Sequence, residues 1–482
     1  MHERLTSWKP RGGAFWAGAW RPGSQLDVRD PENARLVGRV SNCSPEDVDA
    51  AVRAVCTAVR QGPPWPVWQR REALQRAATL LSDRRSLFVD LLSSEGCKTV
   101  RDAESEVQRA VETVRLSGEQ ASRLEGQTLP FGDTPRGENR VGWYTREPVG
   151  VVAAITPFND PLNLVAHKLA PALMGGNGVV LKPAEQTPLT ALAFVELLLD
   201  AGVPADRLAV LPGKGIQVGA ALVGHSLVDM VSFTGGWTSG NAVARTAGAK
   251  KTLMELGGNG AVLVLADSDL DRAAAAIVGG AFGNARQNCL SVQRVLVDAA
   301  RYSQLVELVV AGTRALVVGS KAEASTDVGP LVDEAAADRV ESWVAEAVDA
   351  GATIHTGAKR EGTFYWPTVL TDVPSSCRVL TEEVFGPLVS IQPFDRVETA
   401  VAEVNRCDYA LQAGVFSSSI DAALGVAQQL HVGAVMINDT GDFRIDAMPF
   451  GGGKRSGVGR EGVPFAVDAM TEPKIIAIQR TA

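Results

Sequence analysis

Cys289 lies in FGNARQNCLSVQRVLV, residues 282–297, between a helical pattern and a β-rich apolar run. Its neighbours Asn284, Gln287 and Asn288 are polar. A thiol in this setting is either a passive small residue or a nucleophile. As a nucleophile it needs a depressed pKa or a base close by, because the thiolate is the attacking form. The segment holds no histidine, so a cysteine–histidine dyad has no local support. A candidate base stands 34 residues earlier, where Glu255 in KTLMELGGNG ends an apolar run and precedes Gly257-Gly258. Strands disfavour glutamate, and paired glycines let backbones approach closely. Either Glu255 is a solvated strand-end acid, or a cleft desolvates it, raises its pKa toward neutrality and suits it to general-base work.

Three further segments carry polar groups at the ends of apolar runs. In ITPFNDPLNL, 155–164, Asn159 sits between two prolines straight after a buried-strand pattern. An amide fixed there donates to a developing oxyanion; the plain alternative is a turn asparagine. In VVLKPAEQTP, 179–188, Lys182 and Glu185 follow a strand end. Doubly wound sheets bind ligands at such ends, and a carboxylate there accepts hydrogen bonds from ribose hydroxyls. The alternative is a proline-bounded loop with solvated charges. In SFTGGWTSG, 232–240, a strand, a glycine turn and a helix start follow one another. Free N–H groups at such a start bind pyrophosphate, although the GxGxxG spacing is absent.

The elements that must position these groups show in the periodicity. Ser44-Pro45-Glu46-Asp47 combines a capping hydroxyl, a proline at the first helical position and acids facing the positive end of the dipole. Residues 45–60, 66–93 and 101–124 then read as helices. The polar stretch 126–146, punctuated by Gly, Pro and Asp, reads as a projecting hairpin with a partner subunit as its reason. From 149 onward, strands at 149–156, 178–182, 207–212 and 228–233 alternate with helices at 161–174, 188–201, 216–224 and 238–248. Nearly continuous apolar strands in such alternation predict a parallel, doubly wound α/β sheet. After ELGG at 255–258 the alternation restarts with strands VLVLA and VQRVLV and helices at 268–284 and near 300–315, which predicts a second α/β unit. TEPKIIAIQ reads as a final strand.

The composition excludes several classes. The chain has 482 residues, with 47 Lys plus Arg against 55 Asp plus Glu and a net charge of −8. An acidic chain is a poor nucleic-acid binder, because phosphate recognition needs a basic surface. No apolar stretch reaches the length of a membrane span, and the first twenty residues hold no signal-peptide core. Six cysteines without a CxxC pair and five scattered histidines argue against a disulfide framework and a metal site. The expectation is a soluble, cytoplasmic protein of about three domain-sized units, with no metal, nucleic-acid or membrane partner.

Taken together and in order, TPFNDPLN, KPAEQTP, FTGG-x3-G, MELGG, QNC-x3-QR, EEVFGP and PFGGGKRSGVGREG resemble the aldehyde dehydrogenase superfamily, over about residues 14–480. The resemblance implies Cys289 as nucleophile, Glu255 as general base, and Asn159 as oxyanion donor beside the Cys289 backbone N–H. It implies an NAD(P) site in which Lys182 and Glu185 meet the adenosine ribose and Gly235, Gly236 and Gly240 form the pyrophosphate turn. Thr156, Pro157 and Leu256 are further cofactor contacts, and Glu383 and Phe385 hold the nicotinamide ribose and ring. The implied fold is a Rossmann-type NAD(P)-binding domain (1–125 and 147–255), an α/β catalytic domain (256–465) and an oligomerisation arm (126–146 and 466–482) of a homo-oligomer, dimer or tetramer. The implied reaction is thiolate attack on an aldehyde, hydride transfer to the nicotinamide, and hydrolysis of the thioester by water that Glu255 activates. Glu185 favours NAD over NADP, since a carboxylate repels a 2′-phosphate.

TPFNDPLNLVAHK and DFRIDAMPFGG look most similar to a branch containing lactaldehyde, phosphonoacetaldehyde, sulfolactaldehyde and non-phosphorylating glyceraldehyde-3-phosphate dehydrogenases. Some of these hold an anionic group with arginines, and Arg115 and Arg444 fall near those positions. Each has a plainer reading: Arg115 as a solvated helix-face residue, Arg444 as the partner of Asp446. Asp160 and Asn288 complete the expected substrate contacts, although Asp160 adds negative charge that works against an anionic aldehyde. Arg286 replaces a glycine usual in the family just before Gln-x-Cys. It would bind an anionic substrate, lower the thiol pKa, or pair with a surface acid. Trp237 adds a bulky ring to the cofactor turn. Two rivals remain. A coenzyme A-acylating relative would generally lack the glutamate at 255; a non-catalytic cofactor-binding or structural protein would lack Cys289, Glu255 or Asn159.

Overall fold

The computed structural model describes residues 13–481, so the opening of the expected cofactor domain lies outside the described residues. An eight-stranded sheet runs in the order Ala19–Arg21, Ala14–Trp16, Leu208–Val210, Gly178–Lys182, Val151–Ile155, Met230–Thr234, Lys251–Glu255 and Gly457–Val458. The five strands from Leu208–Val210 to Lys251–Glu255 are parallel. Their chain order reverses between Val151–Ile155 and Met230–Thr234, and ligands bind outside the carboxyl ends of strands at such a reversal.

The continuous apolar strands follow from burial on both faces. In Val151–Ile155, Val152 and Ala154 join a core with Leu74, Val107, Leu169 and Leu192 from four helices. Val151, Ala153 and Ile155 join a second core with Val48 and Val52 on the other side. Burying each of the valine, leucine and isoleucine side chains contributes roughly 1.5–3 kcal/mol.

The seven-stranded second sheet runs Thr353–Thr356, Thr368–Thr371, Leu388–Phe394, Val292–Asp298, Gly260–Val264, Gln412–Phe416 and Ala434–Ile437. All its pairings are parallel except that of Thr353–Thr356. The final strand Thr471–Gln479 pairs antiparallel with Arg140–Pro148 along its whole length, and Gln127–Thr128 adds a third strand.

The cap at Ser44 forms as the sequence indicates. Its hydroxyl accepts from the Asp47 N–H at 3.3 Å and the Asp47 carboxylate accepts from the Ser44 N–H at 2.8 Å. Three expected helices differ. The 66–93 stretch is two helices, Val67–Asp83 and Arg85–Glu95, broken at Arg84 with ψ 19°. At the end of the second helix, the Glu95 carboxylate accepts from the Leu189 and Thr190 N–H groups, both at 2.7 Å. The helix Val100–Glu119 tightens into a 3₁₀ turn at Gln120–Arg123. The 216–224 helix begins as a wide π turn, Gly215–Gly219, and only Ala220–Gly224 is α-helical. Among the described residues no helix is long and apolar enough to cross a membrane. None of the described His, Cys, Asp and Glu residues form a metal-holding group, and all six cysteines are free.

Candidate active site

Glu255 ends the last parallel strand of the first sheet, and Gly260 begins the second sheet. The crossing between them is shaped by two glycines with different neighbours. A Cβ on Gly258 would lie 2.1 Å from the carbonyl oxygen of Cys289, and one on Gly257 would lie 2.4 Å from a carboxylate oxygen of Glu383. Only bare backbone brings the two sheets this close to the nucleophile segment. A cleft of about 1390 Å³ opens here, lined by Asn159, Glu255, Cys289 and Glu383 among others.

Cys289 is partly exposed, with its sulfur 3.7 Å from the Asn288 amide oxygen. Burial first, then the charges of Glu383 and Glu255, push its pKa well above the usual thiol value. Glu255 is 2% exposed, and neither of its carboxylate oxygens has a hydrogen-bond partner among the described residues. Burial, and next the carboxylate of Glu461, raise its pKa well above that of an ordinary glutamate. Glu461 goes the other way: burial opposes its charge, but Lys168 at 2.9 Å and Arg444 at 3.7 Å keep it ionised. Two acids in one pocket thus differ in proton affinity.

Asn159 sits in a loop pinned on its C-terminal side. The Glu106 carboxylate accepts from the Leu162 and Asn163 N–H groups at 2.8 and 2.9 Å. The neighbouring Asp160 pairs with Lys98 and, at 3.4 Å, with Arg109. Its negative charge is therefore offset within the wall. The amide of Asn159 is left lining the cleft beside Thr156, Pro157 and Phe158.

The other end of the cleft is built mainly from backbone. Gly236 caps the helix Trp237–Ala247 without a side-chain hydrogen bond, and a Cβ on Gly236 would meet nothing within 4 Å. The helix start thus keeps free N–H groups and open space in front of them. One turn on, a Cβ on Gly240 would lie 2.3 Å from the Leu256 side chain, so Gly240 lets the helix pack onto the Glu255 strand end. Lys182 is buried, 3.9 Å from Glu185, whose carboxylate accepts from the Gly215 N–H at 2.6 Å. Glu383 accepts from the Gly258 N–H at 2.8 Å, and burial pushes its pKa up to about 7. Phe385 stands edge-on to Phe158 at 5.8 Å, and Trp237 lines the cleft with Arg455 5.6 Å from its ring. Uncapped N–H groups, a vacant glycine turn and a carboxylate at each flank fit a dinucleotide.

Residues 20–476 match the aldehyde dehydrogenase family. The chain belongs to that family. It is 44% identical over 453 residues to aspartate-semialdehyde dehydrogenase 1 of Pseudomonas canavaninivorans, covering 94% of this chain and 96% of that one. It is 41% identical over 467 residues to 3-sulfolactaldehyde dehydrogenase of Priestia aryabhattai, covering 97% and 98%. The crystal structure of NADP-dependent glyceraldehyde-3-phosphate dehydrogenase from Bacillus halodurans C-125, complexed with NADP, superposes with a TM-score of 0.95 at 35% identity, covering 97% of this chain and 99% of that one. The activity is NAD(P)-dependent, non-acylating oxidation of an aldehyde to a carboxylic acid.

Within this aldehyde dehydrogenase the substrate end departs from the sequence reading. Arg115 does not reach the cleft. Its guanidinium pairs on the exposed helix face with Glu119 and, at 2.8 Å, with Glu112. The signal was present, since acids three residues before and four after an arginine are at ion-pair spacing on a helix. Arg109, on the same helix, lines the cleft instead, on the stripe of the buried Glu106 and Thr113. Arg444 does line the cleft, stacked 3.8 Å from the Phe450 ring centre and paired with Glu461 rather than Asp446. Asp446 instead meets His167 at 2.8 Å. Asn288 lines the cleft and donates to Asp442 at 2.7 Å. Asp442, Lys168 and Glu461 had no local signature.

Arg286 neither lines the cleft nor reaches the surface. It is 1% exposed and donates to the Val292 carbonyl at 3.1 Å and to the Gln293 amide oxygen at 2.6 Å. That same oxygen accepts from the Val384 N–H at 3.1 Å. Arg286 thus ties the nucleophile turn to the segment that carries Glu383.

Proposed function

We propose that this chain oxidises a small anionic aldehyde, with Cys289 as nucleophile, Glu255 as base and Asn159 as oxyanion donor. The observation that carries the assignment is Glu255: buried, raised in pKa, without a hydrogen-bond partner, and on one cleft with a partly exposed thiol. Cys289 reacts as its thiolate, a form that burial disfavours. Its proton leaves to the unpartnered Glu255 as the sulfur–carbon bond forms. The new oxyanion accepts from the Asn159 amide and the Cys289 N–H. NAD(P), when bound, supplies the hydride acceptor. Glu255, returned to its ionised form, then takes a proton from water as that water attacks the thioester, and the Cys289 sulfur leaves.

Gly235, Gly236 and Gly240 hold the pyrophosphate, Lys182 and Glu185 the adenosine ribose, and Glu383 the nicotinamide ribose. Phe385, Thr156, Pro157 and Leu256 pack around the ring. Glu185 favours NAD, since its carboxylate repels a 2′-phosphate. The names of the three relatives above each specify an aldehyde with an anionic group, and here Arg109 and Arg444 bring positive charge to the substrate end. The cofactor domain comprises 1–125 and 147–255, the catalytic domain 256–465. Segments 126–146 and 466–482 form the arm of a homo-oligomer; exposed Trp143, Ile475, Ile476 and Ile478 on its sheet support that role.

The test is NADH formation by the purified protein with neutral and anionic aldehydes, with and without coenzyme A. The expectation is coenzyme A-independent turnover, fastest with an anionic aldehyde and abolished in Cys289→Ala. Turnover by that variant, or only with coenzyme A, overturns the assignment.

A further inference from the structure

The carboxylates of the cleft are not equivalent. Asp160 has Lys98 and Arg109, Asp446 has His167 and Arg109, and Glu461 has Lys168 and Arg444. Asp442 has no ion pair among the described residues; its carboxylate accepts from the Asn288 amide. It lies on the cleft wall, and Asn288 is the immediate neighbour of Cys289. Burial opposes its charge; Arg109 and the buried Arg286 favour it, and Asp160, Asp439 and Asp102 oppose it. A half-buried carboxylate with no ion pair of its own gains from a cationic ligand.

Arg109 shows the opposite deficit. Its contacts are long, 3.4 Å to Asp160 and 3.5 Å to Asp446, and both acids have closer partners. Its side chain is 34% exposed, within the same cleft. A guanidinium held at both ends by long contacts tightens readily onto a further carboxylate.

We propose that the substrate end of this cleft recognises a zwitterion: a short α-amino acid whose far end is the aldehyde, its carboxylate on Arg109 and its ammonium on Asp442. The proposal rests on the anionic-aldehyde reading above and sharpens it. A neutral aldehyde forms an ion pair with neither group. A simple anion satisfies Arg109 but meets the unpaired Asp442. A zwitterion answers both. The ammonium and first carboxylate pass through unchanged. The aldehyde carbon loses a hydride to NAD(P), takes its new oxygen from water, and becomes the second carboxylate of a dicarboxylic amino acid, with two protons released.

Succinate semialdehyde and aspartate semialdehyde are matched probes that differ only by the ammonium group. The expected kcat/KM of the wild-type enzyme at pH 8 is at least about tenfold higher for the amino compound, the size of one charge-assisted contact. In Asp442→Asn, which still accepts from Asn288, that ratio falls about tenfold. Burial pushes the Asp442 pKa up to about 6, so the wild-type ratio also collapses as pH falls through that value and the carboxylate takes a proton. Equal kcat/KM for the two compounds at pH 8, or a ratio that does not change from pH 8 to pH 5, overturns the zwitterion reading while turnover of succinate semialdehyde above that of propanal keeps the anionic one. Propanal matching both acids overturns the two readings together. The wild-type pH series decides the question even where the variant does not fold.

Discussion

The two ends of the cleft are made of different materials. The cofactor end is backbone: the Gly235-Gly236 turn, the Gly240 contact with Leu256, and the N–H groups of Gly215 and Gly258 that fix Glu185 and Glu383. The substrate end is side-chain charge, drawn from a helix at Arg109, a strand-end loop at Asp160, and a distant loop at Asp442 and Arg444. Backbone geometry is tied to short contiguous motifs. A charge constellation exists only after the chain has folded. A dinucleotide site is therefore stable to sequence change that leaves its glycines alone, whereas substrate choice turns on single residues far apart in the chain.

The largest effect should come where the ends meet. Glu255→Gln should lower steady-state kcat by roughly 10²–10⁴-fold, the usual range for general-base loss. Burial and Glu461 raise the pKa of Glu255, so wild-type kcat should fall on acidification through a value above the ordinary glutamate range. The ionised carboxylate is the active form and is lost as pH drops. A wild-type rate that stays level down to the ordinary glutamate range would remove Glu255 as base. Next, Arg109→Ala should raise the KM for an anionic aldehyde by roughly 10–100-fold and leave the cofactor KM in place, as expected for a charged hydrogen bond. An unchanged aldehyde KM would break the division between the ends. Gly240→Ala should do the reverse. Its new Cβ displaces Leu256 and should raise the cofactor KM by about fivefold, an overpacking cost near 1 kcal/mol. Arg115→Ala, on the solvent face, should shift stability by less than about 0.5 kcal/mol and alter neither KM.

How much of this was legible follows the same division. The alternation from 149 onward fixes a parallel sheet because each strand is buried on both faces, and that leaves unbroken apolar runs in the sequence. The Ser44 cap was readable because both of its hydrogen bonds lie within four residues. The break at Arg84 was not: apolar spacing continues through it, and its docking partners near Leu189 lie a hundred residues away. Glu255 and Asn159 could be picked out because each puts a polar group at the end of an apolar run, and Cys289 because it sits in a polar turn between a helix and a strand; the structure brings all three onto one cleft. The expectation for Arg115 misses the helix phase, which the flanking Glu112 and Glu119 could have set. Asp442 has no pattern at all; what sets it apart from Asp160 and Glu461 is the ion pair it lacks.

One turn beside the nucleophile sets two kinds of selection against each other. Asn284, Ala285 and Arg286 are successive left-handed residues, with φ of 51°, 50° and 57°. Each carries a penalty of roughly 1–2 kcal/mol that glycine would largely remove. The arginine offsets its share through hydrogen bonds to the Val292 carbonyl and to the Gln293 oxygen that also accepts from Val384. Selection to relax the backbone favours glycine at this position, whereas selection against a cavity and lost hydrogen bonds holds the buried arginine, and the second cost is the larger.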